Sequence, residues 1–353
     1  MNWNHPAVQK KIGMGDVLVF QRNIIVKEVW DAMDYWRALG KIVVVDLPLD
    51  DGYCDLPPSN PAFAYWIRNL PKLNPDPIAA LTEGMRHADA LTSPSKIILR
   101  DWDHILPGFW MPNWTRGAWY KDLMQKPIGA VDYEFTYKPV EGKDPELIQT
   151  VRASSEGQIV LGWGGSISHV DSWIYSGLIE ALEKLFAKYP NLRLKFCGHE
   201  QRLNYLFEKF NDRIIRQTGL SPQHWPLAVA TFDIGLAPLD MRQLDPWREG
   251  APVASYDERR SWLKGAEYLC AGVPWVGSRS ATYDDLRRWG TLVENTPEAW
   301  FDALDHKIAH LADEKRKAWD NRRWAMKHIT FENNVDEYAS VFGRILALKA
   351  ARN

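Results

Sequence analysis

Residues 257–278, DERRSWLKGAEYLCAGVPWVGS, predict a helix that begins near Arg260 and leads into a strand at 273–278. On such a helix the side chains of Arg260, Lys264 and Glu267 share one face, because they follow one another at helical spacing. Two cations beside a helix N-terminus suit a diphosphate, and a carboxylate beyond them suits the vicinal hydroxyls of a ribose. Ion pairs on a solvated helix face would give the same pattern.

The sequence around this stretch alternates short β-rich runs with amphipathic segments from Gln158 onward. This alternation is typical of a parallel sheet with helices on both faces. The Thr296 hydroxyl, followed by Pro297, predicts a capped helix start. Strands are predicted at 158–163, 192–198, 213–219, 232–239, 273–278 and 292–295, and helices at 170–189, 201–210, 260–271, after Thr296 and over most of the C-terminal end.

The N-terminal half repeats the alternation less clearly. Strands are predicted at 16–22 and 41–47 around a helix at 25–39, with a third strand inside 87–95. Charged, Pro and Gly residues without a firm period fill 114–156, so we expect the boundary between two domains there. Two domains are also the expectation for a chain of 353 residues.

Charge and hydropathy argue against several classes of protein. The 43 Lys and Arg residues nearly balance the 45 Asp and Glu residues, and no long run of like charges occurs. This balance argues against a nucleic-acid-binding protein dominated by phosphate contacts. Residues 1–11 have no apolar stretch typical of a signal peptide, and no segment approaches the length of a membrane-spanning helix. We therefore expect a cytoplasmic protein.

Three cysteines and 18 tryptophans have simple structural interpretations. Cys54, Cys197 and Cys270 are too far apart for a CxxC metal site, and we expect all three to be buried thiols. Most tryptophans are expected to pack into cores or to line a cleft, because an exposed indole is costly. A Trp-lined cleft would suit a sugar, whose C–H faces stack on indole.

A Gly-rich turn, GWGGSISHVD at 162–171, separates a predicted strand from a predicted helix. Backbone N–H groups and the helix dipole can hold a phosphate at such a turn. The turn is not a dinucleotide fingerprint, because Ile167 stands where G-x-G-x-x-G needs glycine, and it lacks the Lys of a Walker loop. A tight turn without a ligand explains the glycines equally well.

A set of acids and histidines in the N-terminal half includes Asp101, Asp103 and His104. The sequence DWD at 101–103 resembles the metal-binding DxD motif of some sugar transferases, but only a short apolar run, 97–99, precedes it. We therefore expect no metal there. A lone histidine such as His104 is more often structural than catalytic.

These motifs resemble the retaining glycosyltransferases of family 4, the group 1 transferases with the two-domain GT-B fold. The resemblance covers most of 158–340 and is carried by FDIGLAPL at 232–239, RSWLKGAEYLCAGVPWV at 260–276 and the GWGGS turn. Within it, EYLCAGVP at 267–274 matches the family's E-x-x-x-x-G-x-P pattern. The N-terminal half is similar over GDVLVFQR, GKIVVVDL, HADALTSPS and MPNW, and is shorter than the family's usual domain.

The resemblance implies a fold of two Rossmann-like α/β domains, whose parallel sheets face each other across a cleft. Residues 1–125 would form a shortened acceptor domain, and 157–330 the domain that binds the nucleotide-sugar donor. Residues 126–156 would be a linker or insertion, and the C-terminal helix, 331–353, would cross back to the N-terminal domain.

The family's donor-binding residues match three short stretches of this sequence. Glu267 would hold the donor ribose. The pattern K-S-x-L-K-x-x-E of a variant subgroup fits 260–267, with Arg in place of the first Lys. The resemblance implies that the diphosphate is bound by Arg260, Ser261 and Lys264, with backbone contacts from Gly164, Gly165 and Ser166.

The residues that contact the transferred sugar depart from the family's pattern. The family often has a second Glu eight residues before the ribose Glu, and this chain has Arg259 there. We assign the catalytic contact to Glu258 or Asp257, the neighbours that could replace that Glu. His169, directly beside the Gly-rich turn, is a further catalytic candidate.

The implied reaction is transfer of a sugar from a nucleoside diphosphate sugar to an acceptor, with retention at the anomeric carbon. No metal or other cofactor would be needed, because cations and a helix N-terminus would stabilise the departing diphosphate. A saccharide, a lipid-linked saccharide or a protein could be the acceptor, and no nucleic acid is expected as a partner. A sugar-nucleotide epimerase on the same fold and a non-catalytic nucleotide-binding protein stay open as alternatives.

Overall fold

The computed structural model of the chain describes residues 10, 13–21, 24–47, 57–60, 63, 77–198, 205–243 and 249–350. The chain divides into two units. Unit 1 is built from Met1–Asn113, Gln243–Ser261 and Val335–Asn353, and unit 2 from Trp114–Arg242 and Trp262–Asn334. Each unit contains a parallel sheet and helices, so the α/β class predicted from the alternation is confirmed.

Unit 1 has, among its described residues, a parallel sheet in the order β1-β2-β3-β4. Its strands are β1 (Val17–Gln21), β2 (Ile42–Asp46), β3 (Ala90–Ser93) and β4 (Gly108–Trp110), and its helices are Lys27–Ala38, Pro77–Arg86, Lys96–Trp102 and Val335–Ala350. The strands predicted at 16–22, 41–47 and within 87–95 are confirmed, whereas β4 was not predicted.

Helices cover both faces of this sheet, because successive side chains of a strand point to opposite sides. Val43 and Val45 of β2 pack with Met33 on one face. Val44 packs with Ile345 of the C-terminal helix on the other face. A strand that is buried on both faces has a continuous apolar sequence, which explains the run of valines in β2.

Unit 2 combines a hairpin with a larger sheet. The hairpin pairs β5 (Tyr133–Lys138) with β6 (Glu146–Val151) antiparallel, inside the stretch predicted as a linker or insertion. The larger sheet of described residues is parallel, in the order β12-β11-β10-β7-β8-β9. Its strands are β7 (Ile159–Gly164), β8 (Leu192–Cys197), β9 (Ile214–Gln217), β10 (Ile234–Ala237), β11 (Trp275–Ser278) and β12 (Thr291–Val293).

The strand order of the larger sheet reverses beside β7. The chain passes from β7 to β8 and β9 on one side, and then returns to β10, β11 and β12 on the other. Crossovers that leave in opposite directions open a crevice at the carboxyl ends of the two central strands, where open α/β sheets bind ligands. The turn after β7 and the loop after β10 therefore border the expected ligand site of unit 2.

The helices of unit 2 follow the predicted pattern with two differences. They span Val170–Ile174, Leu178–Lys188, Trp225–Val229, Leu263–Ala271, Pro297–Ala309 and Leu311–His328. The single helix predicted at 170–189 is divided, because Gly177 has a φ of 81° that a right-handed helix does not allow. The helix predicted at 201–210 is a 3-10 helix over Tyr205–Arg213 in the described residues, instead of an α-helix. In the part of the chain that the structure describes, no helix has the length and apolar character needed to cross a membrane.

Tryptophans fill much of the core of unit 2. Trp163, Trp173, Trp275 and Trp300 are fully buried. The ring centre of Trp163 lies 4.4 Å from that of Phe196 and 5.5 Å from that of Trp173. The prediction that most tryptophans pack into cores therefore holds for these four.

Two of the three cysteines lie in unit 2. Cys197 and Cys270 are buried and form no disulfide, as predicted, and Cys54 lies outside the described residues. Burial raises the pKa of both thiols to about 12. They are therefore protonated at neutral pH, which makes them unreactive as nucleophiles.

Candidate functional site

The Gly-rich turn lies at the carboxyl end of β7, at the border of the expected ligand crevice. Gly164 ends the strand, and the Gly165 N–H donates a hydrogen bond to the Cys197 carbonyl at 3.1 Å. That N–H is therefore used within the sheet. The chain then makes a 3-10 turn, Ile167–His169, before the short helix Val170–Ile174, whose few residues produce only a weak dipole.

Two indole rings leave room only for glycine at this turn. A Cβ atom on Gly164 would lie 2.1 Å from the Trp225 ring, and one on Gly165 would lie 2.5 Å from the Trp163 ring. Both distances are far below van der Waals contact. Packing alone therefore requires glycine here, whatever the turn binds.

Lys264 brings a cation to the same turn. It lies in the helix Leu263–Ala271, and its Nζ donates a hydrogen bond to the Gly164 carbonyl. Nζ also lies 5.1 Å from the centre of the Trp163 ring, within the range of a cation–π interaction. An ammonium group at a Gly-rich turn is well suited to meet the charge of a phosphate.

The predicted start of this helix at Arg260 is wrong. Arg260 has an extended backbone, with φ -72° and ψ 165°, and the helix begins at Leu263. The reason is that 257–259 form a separate 3-10 turn, which ends before the helix starts. Arg260 therefore does not share the helical face of Lys264 and Glu267, which lie three residues apart and do share one.

Glu267 lies one turn beyond Lys264 on the same helix. Burial raises the pKa of its carboxyl group to about 7, while the Lys264 ammonium and a hydrogen bond from Trp225 oppose that rise. The side chain is only partly buried by surface area, so a polar ligand can reach it. A carboxyl group that titrates near neutral pH beside a ligand crevice is typical of a functional site.

Trp225 completes this group, although nothing in the sequence singled it out. It follows the loop after β9 and begins the helix Trp225–Val229, with a proline in the first turn. Its indole packs against Gly164, and its N–H lowers the pKa of the Glu267 carboxyl group against the effect of burial. The Trp-Pro pair could have predicted the start of this helix, because proline is favoured in the first turn of a helix, but it does not indicate a role for the indole. We refer to Gly164, Trp225, Lys264 and Glu267 as the turn cluster.

Arg260 and Ser261, predicted to bind the diphosphate, belong to unit 1. The Arg260 guanidinium is buried in an ion pair with Asp257 at 2.5 Å. The Ser261 hydroxyl accepts a hydrogen bond from the Asn113 side chain at 3.5 Å. The turn cluster belongs to unit 2, so the predicted donor residues are divided between the units. Their shared role in one site stays a prediction.

The two acidic candidates for the sugar contact have partners within unit 1. Glu258 accepts a hydrogen bond from the Ser255 N–H at 2.8 Å, and the Ser255 hydroxyl accepts one from the Glu258 N–H at 3.1 Å. This reciprocal arrangement is a capping box. Asp257 is held by the Arg260 guanidinium. A catalytic role for either carboxylate stays a prediction.

Arg259, at the position of the family's second Glu, is fully buried. Its guanidinium donates hydrogen bonds to both carboxylate oxygens of Asp101, at 2.7 and 3.0 Å, and to the Ala254 and Ser255 carbonyls. The first acid of the DxD-like sequence is therefore part of an ion pair. Among the residues that the structure describes, no three His, Cys, Asp or Glu side chains converge as a metal site would require.

His169 is buried behind the Gly-rich turn. Its N–H donates a hydrogen bond to the Ser166 carbonyl at 3.1 Å, and its ring meets Trp163 edge-on with 5.7 Å between the ring centres. The Ser166 hydroxyl lies 3.2 Å from the Ser168 hydroxyl. These contacts fit a packing role for His169, and its predicted catalytic role is not tested by them.

The chain has the GT-B fold, because its two α/β units match solved structures of glycosyltransferases with that fold. No protein-family model matches the sequence, and no curated protein matches it. The fold is therefore established by three-dimensional similarity.

Three solved structures illustrate the likeness. Sucrose-phosphate synthase from Thermosynechococcus elongatus is 12% identical, with 97% of this chain and 76% of that chain covered, at a TM-score of 0.58. HepE from Anabaena, in complex with UDP-glucose, is 12% identical, with 96% and 82% covered, at a TM-score of 0.58. A UDP-forming α,α-trehalose-phosphate synthase from Burkholderia xenovorans is 13% identical, with 98% and 77% covered, at a TM-score of 0.53. At such identities the likeness establishes the fold alone.

Proposed function

We propose that the protein is a glycosyltransferase that moves a sugar from a nucleoside diphosphate sugar to an acceptor. The observation that carries this proposal is the turn cluster, in which Lys264 meets the Gly-rich turn at the carboxyl end of a central strand and Glu267, with its raised pKa, lies one helical turn further along. A cation and a carboxyl group one helical turn apart match the spacing between a diphosphate and its ribose. The GT-B fold of the chain supports the same function.

In the proposed mechanism the turn cluster binds the donor and stabilises the leaving group. The Lys264 ammonium exchanges the Gly164 carbonyl for a diphosphate oxygen, where negative charge develops as the glycosidic bond breaks. The ionised Glu267 carboxylate accepts hydrogen bonds from the ribose hydroxyls. Both groups lie on one helix, so the distance between them is fixed before the donor arrives.

The finer features of the reaction are part of this proposal. They are retention of the anomeric configuration, membership of family 4, independence of metal ions and a cytoplasmic location. Arg260 and Ser261 would add to the diphosphate site, and Glu258, Asp257 or His169 would contact the transferred sugar. A saccharide, a lipid-linked saccharide or a protein is proposed as the acceptor.

A binding experiment tests the donor site first. Thermal unfolding is followed with UDP, GDP, ADP and CDP at about 1 mM, with and without EDTA, because a ligand at 100 times its dissociation constant stabilises by roughly 2.7 kcal/mol. UDP is the first to examine, since HepE is solved with UDP-glucose and the trehalose-phosphate synthase is named as UDP-forming. We expect a shift of several degrees with one base, unchanged by EDTA; no shift with any nucleotide would contradict the proposal.

A turnover experiment then tests the reaction. The sugar donor that corresponds to the stabilising nucleotide is incubated with a panel of saccharide acceptors, and nucleoside diphosphate release is measured. Proton NMR of the product reports the anomeric configuration, which we expect to match that of the donor. An altered nucleotide sugar without released diphosphate would indicate the epimerase instead.

The buried Arg259 favours a second candidate function. An arginine held by Asp101 replaces the acid with which the related transferases often contact the sugar. A nucleotide-binding protein without transfer activity would tolerate this replacement. It predicts a thermal shift with a nucleoside diphosphate but no release of that nucleotide from any donor and acceptor pair, and one clean transfer product would exclude it.

A further inference from the structure

A cavity of about 160 Å³ lies in unit 2, at the end of the larger sheet that is remote from the turn cluster. Pro274 directly precedes β11 and Gly290 directly precedes β12, and both residues line the cavity. The cavity is therefore at the amino ends of these strands. The expected ligand crevice lies at the carboxyl ends of β7 and β10, which is the opposite end of the same parallel sheet.

Three segments of the chain supply the charged and amide side chains of this cavity. They are Arg288 from the turn before β12, Lys307 from the helix Pro297–Ala309, and Glu314, Lys317 and Asn321 from the helix Leu311–His328. Three cations and one carboxylate leave this set with a net charge of +2. A concave surface lined by an excess of one sign of charge attracts ions of the opposite sign.

The single carboxylate of the set is shared by the two lysines. Lys307 Nζ donates a hydrogen bond to Glu314 Oε2, and Lys317 Nζ donates one to Glu314 Oε1 at 3.2 Å. The Lys307 side chain is only 7% exposed, so this cation is held inside the protein wall. Burial alone would raise the pKa of Glu314, but the two lysines outweigh it and the pKa lies below its ordinary value. Glu314 is therefore ionised at neutral pH, and its charge is already balanced.

Two further donor groups of the cavity are available to a ligand. Among the residues that the structure describes, the side chains of Arg288 and Asn321 have neither a hydrogen-bond nor an ion-pair partner. The Arg288 guanidinium lies 5.9 Å from the centre of the Trp289 ring, which stacks on the Trp324 ring with 3.6 Å between the ring centres. The arginine thus lies beside a fixed aromatic wall.

The size and charge of the cavity select the class of ligand. A volume of 160 Å³ corresponds to about five water molecules in the liquid, and it is smaller than the roughly 300 Å³ at which sites for drug-sized ligands begin. A phosphate group carries a charge of about -1.5 to -2 at pH 7 and has three strong acceptor oxygens. This charge matches the net +2 of the cavity, and the planar guanidinium of an arginine binds phosphate through two parallel hydrogen bonds.

We propose that this cavity is a second ligand site, which binds a phosphate group through Arg288, Lys317 and Asn321. The phosphate is either inorganic phosphate or the terminal group of a small phosphate monoester. Lys307 stays paired with Glu314 and adds positive potential from within the wall. The site does not depend on the proposed function, because it lies outside the donor crevice and its ligand is not a nucleotide sugar.

A calorimetric titration at constant ionic strength tests the site with inorganic phosphate and with glycerol 3-phosphate. We expect saturable binding with a Kd below about 1 mM for at least one of them. Arg288→Met should weaken it about tenfold or more, because a charged donor is lost. Arg287→Met is the matched control, since both arginines are exposed but Arg287 does not line the cavity. Tighter binding of glycerol 3-phosphate would identify a monoester as the ligand, and tighter binding of inorganic phosphate would identify the free ion.

A change of charge at Asn321 gives a second test with a small change of shape. Asn321→Asp adds a carboxylate to the cavity, so we expect phosphate binding to weaken about tenfold or more by repulsion. Asn211→Asp makes the same change of net charge at an exposed position beside β9, at the other edge of the sheet, and should bind as wild type does. Circular dichroism and the thermal midpoint of each variant establish that it is folded.

Lys264→Met separates this site from the donor crevice, where a phosphate could also bind. We expect this variant to keep its affinity for phosphate, and Arg288→Met to keep its affinity for nucleoside diphosphates. The absence of saturable binding below about 1 mM, or binding that is lost in Lys264→Met and kept in Arg288→Met, would overturn the inference. If phosphate binds as expected but no nucleotide stabilises the protein, this site stands and the proposed function fails.

Discussion

Two segments that are neighbours in the sequence, 257–261 and 263–271, contain the charged residues of the predicted donor site. The two segments differ in the partners of those charged side chains. In the first segment each arginine has a fixed carboxylate partner, Asp101 for Arg259 and Asp257 for Arg260. In the second segment, the Lys264 ammonium lies against the Gly164 carbonyl and the face of the Trp163 ring. The pKa of Glu267 is raised from its ordinary value to about 7. A buried charge with a fixed partner cannot lose that partner without destabilising the fold, whereas an acid with a pKa near neutral pH can respond to a ligand.

The largest effect is expected where the first segment is broken. Arg259→Met leaves the Asp101 carboxylate buried without its cation, so we expect the free energy of unfolding to fall by about 3–5 kcal/mol in urea denaturation. Arg86→Met is the control in the same unit, because that side chain is 63% exposed and its ion pair should contribute little. A loss below about 1 kcal/mol for Arg259→Met would show that the ion pair is not structural.

The next largest effect is expected from a substitution in the second segment, and it should appear in the catalytic activity instead of the stability. Lys264→Met removes the cation proposed to meet the leaving diphosphate, so kcat/KM should fall about 100- to 1000-fold while the unfolding midpoint stays nearly constant. Lys184→Met removes an exposed lysine from the same unit and should leave the rate unchanged. Full activity of Lys264→Met with the cognate donor would mean that the turn cluster is not the donor site.

A third substitution asks whether the first segment also takes part in catalysis. Glu258→Gln keeps an acceptor for the Ser255 N–H, so we expect stability to change by less than about 0.5 kcal/mol. If the carboxylate contacts the transferred sugar, as the resemblance predicts, kcat should fall about 100-fold. An unchanged kcat would limit Glu258 to its capping role and would leave Asp257 and His169 as the candidates for the sugar contact.

The smallest effect concerns the pH dependence of the second segment. The folded-state pKa of Glu267, about 7, lies above the ordinary value of 4.5, so the folded chain binds this proton more tightly than the unfolded chain. The free energy of unfolding of wild type, relative to Glu267→Gln, should therefore fall by about 1–3 kcal/mol as the pH rises from about 4.5 to about 7, and should level off above that. Denaturant titrations at several pH values measure the difference, and a difference that rises or stays flat would contradict the raised pKa.

Donor binding should change with pH in the opposite direction to stability. The ionised carboxylate accepts hydrogen bonds from ribose hydroxyls better than the neutral acid does, so affinity should increase through pH 7. Loss of this proton therefore lowers the free energy of unfolding and increases the affinity for the donor. Polar groups held at a cost in stability are common where proteins bind ligands.

The sequence by itself determined the elements that depend on local patterns. The strands 158–163 and 192–198 were predicted from short apolar runs and were found within one residue of β7 and β8. The Thr296 hydroxyl caps its helix through the Ala299 N–H at 3.2 Å, as its position before proline indicated. Periodicity and capping involve neighbours in the chain, so they can be read without the fold.

Tertiary structure alone decided which of the predicted site residues meet. Arg259 and its partner Asp101 are 158 residues apart, and Trp225 packs against Gly164 from a different loop. The helix start at Leu263 instead of Arg260 was likewise decided outside the helix, by the 3-10 turn at 257–259 and by the ion pairs of Arg259 with Asp101 and of Arg260 with Asp257. Spacing in a sequence shows which side chains could share a face, but burial and distant partners determine which charges are held by the fold and which can meet a ligand.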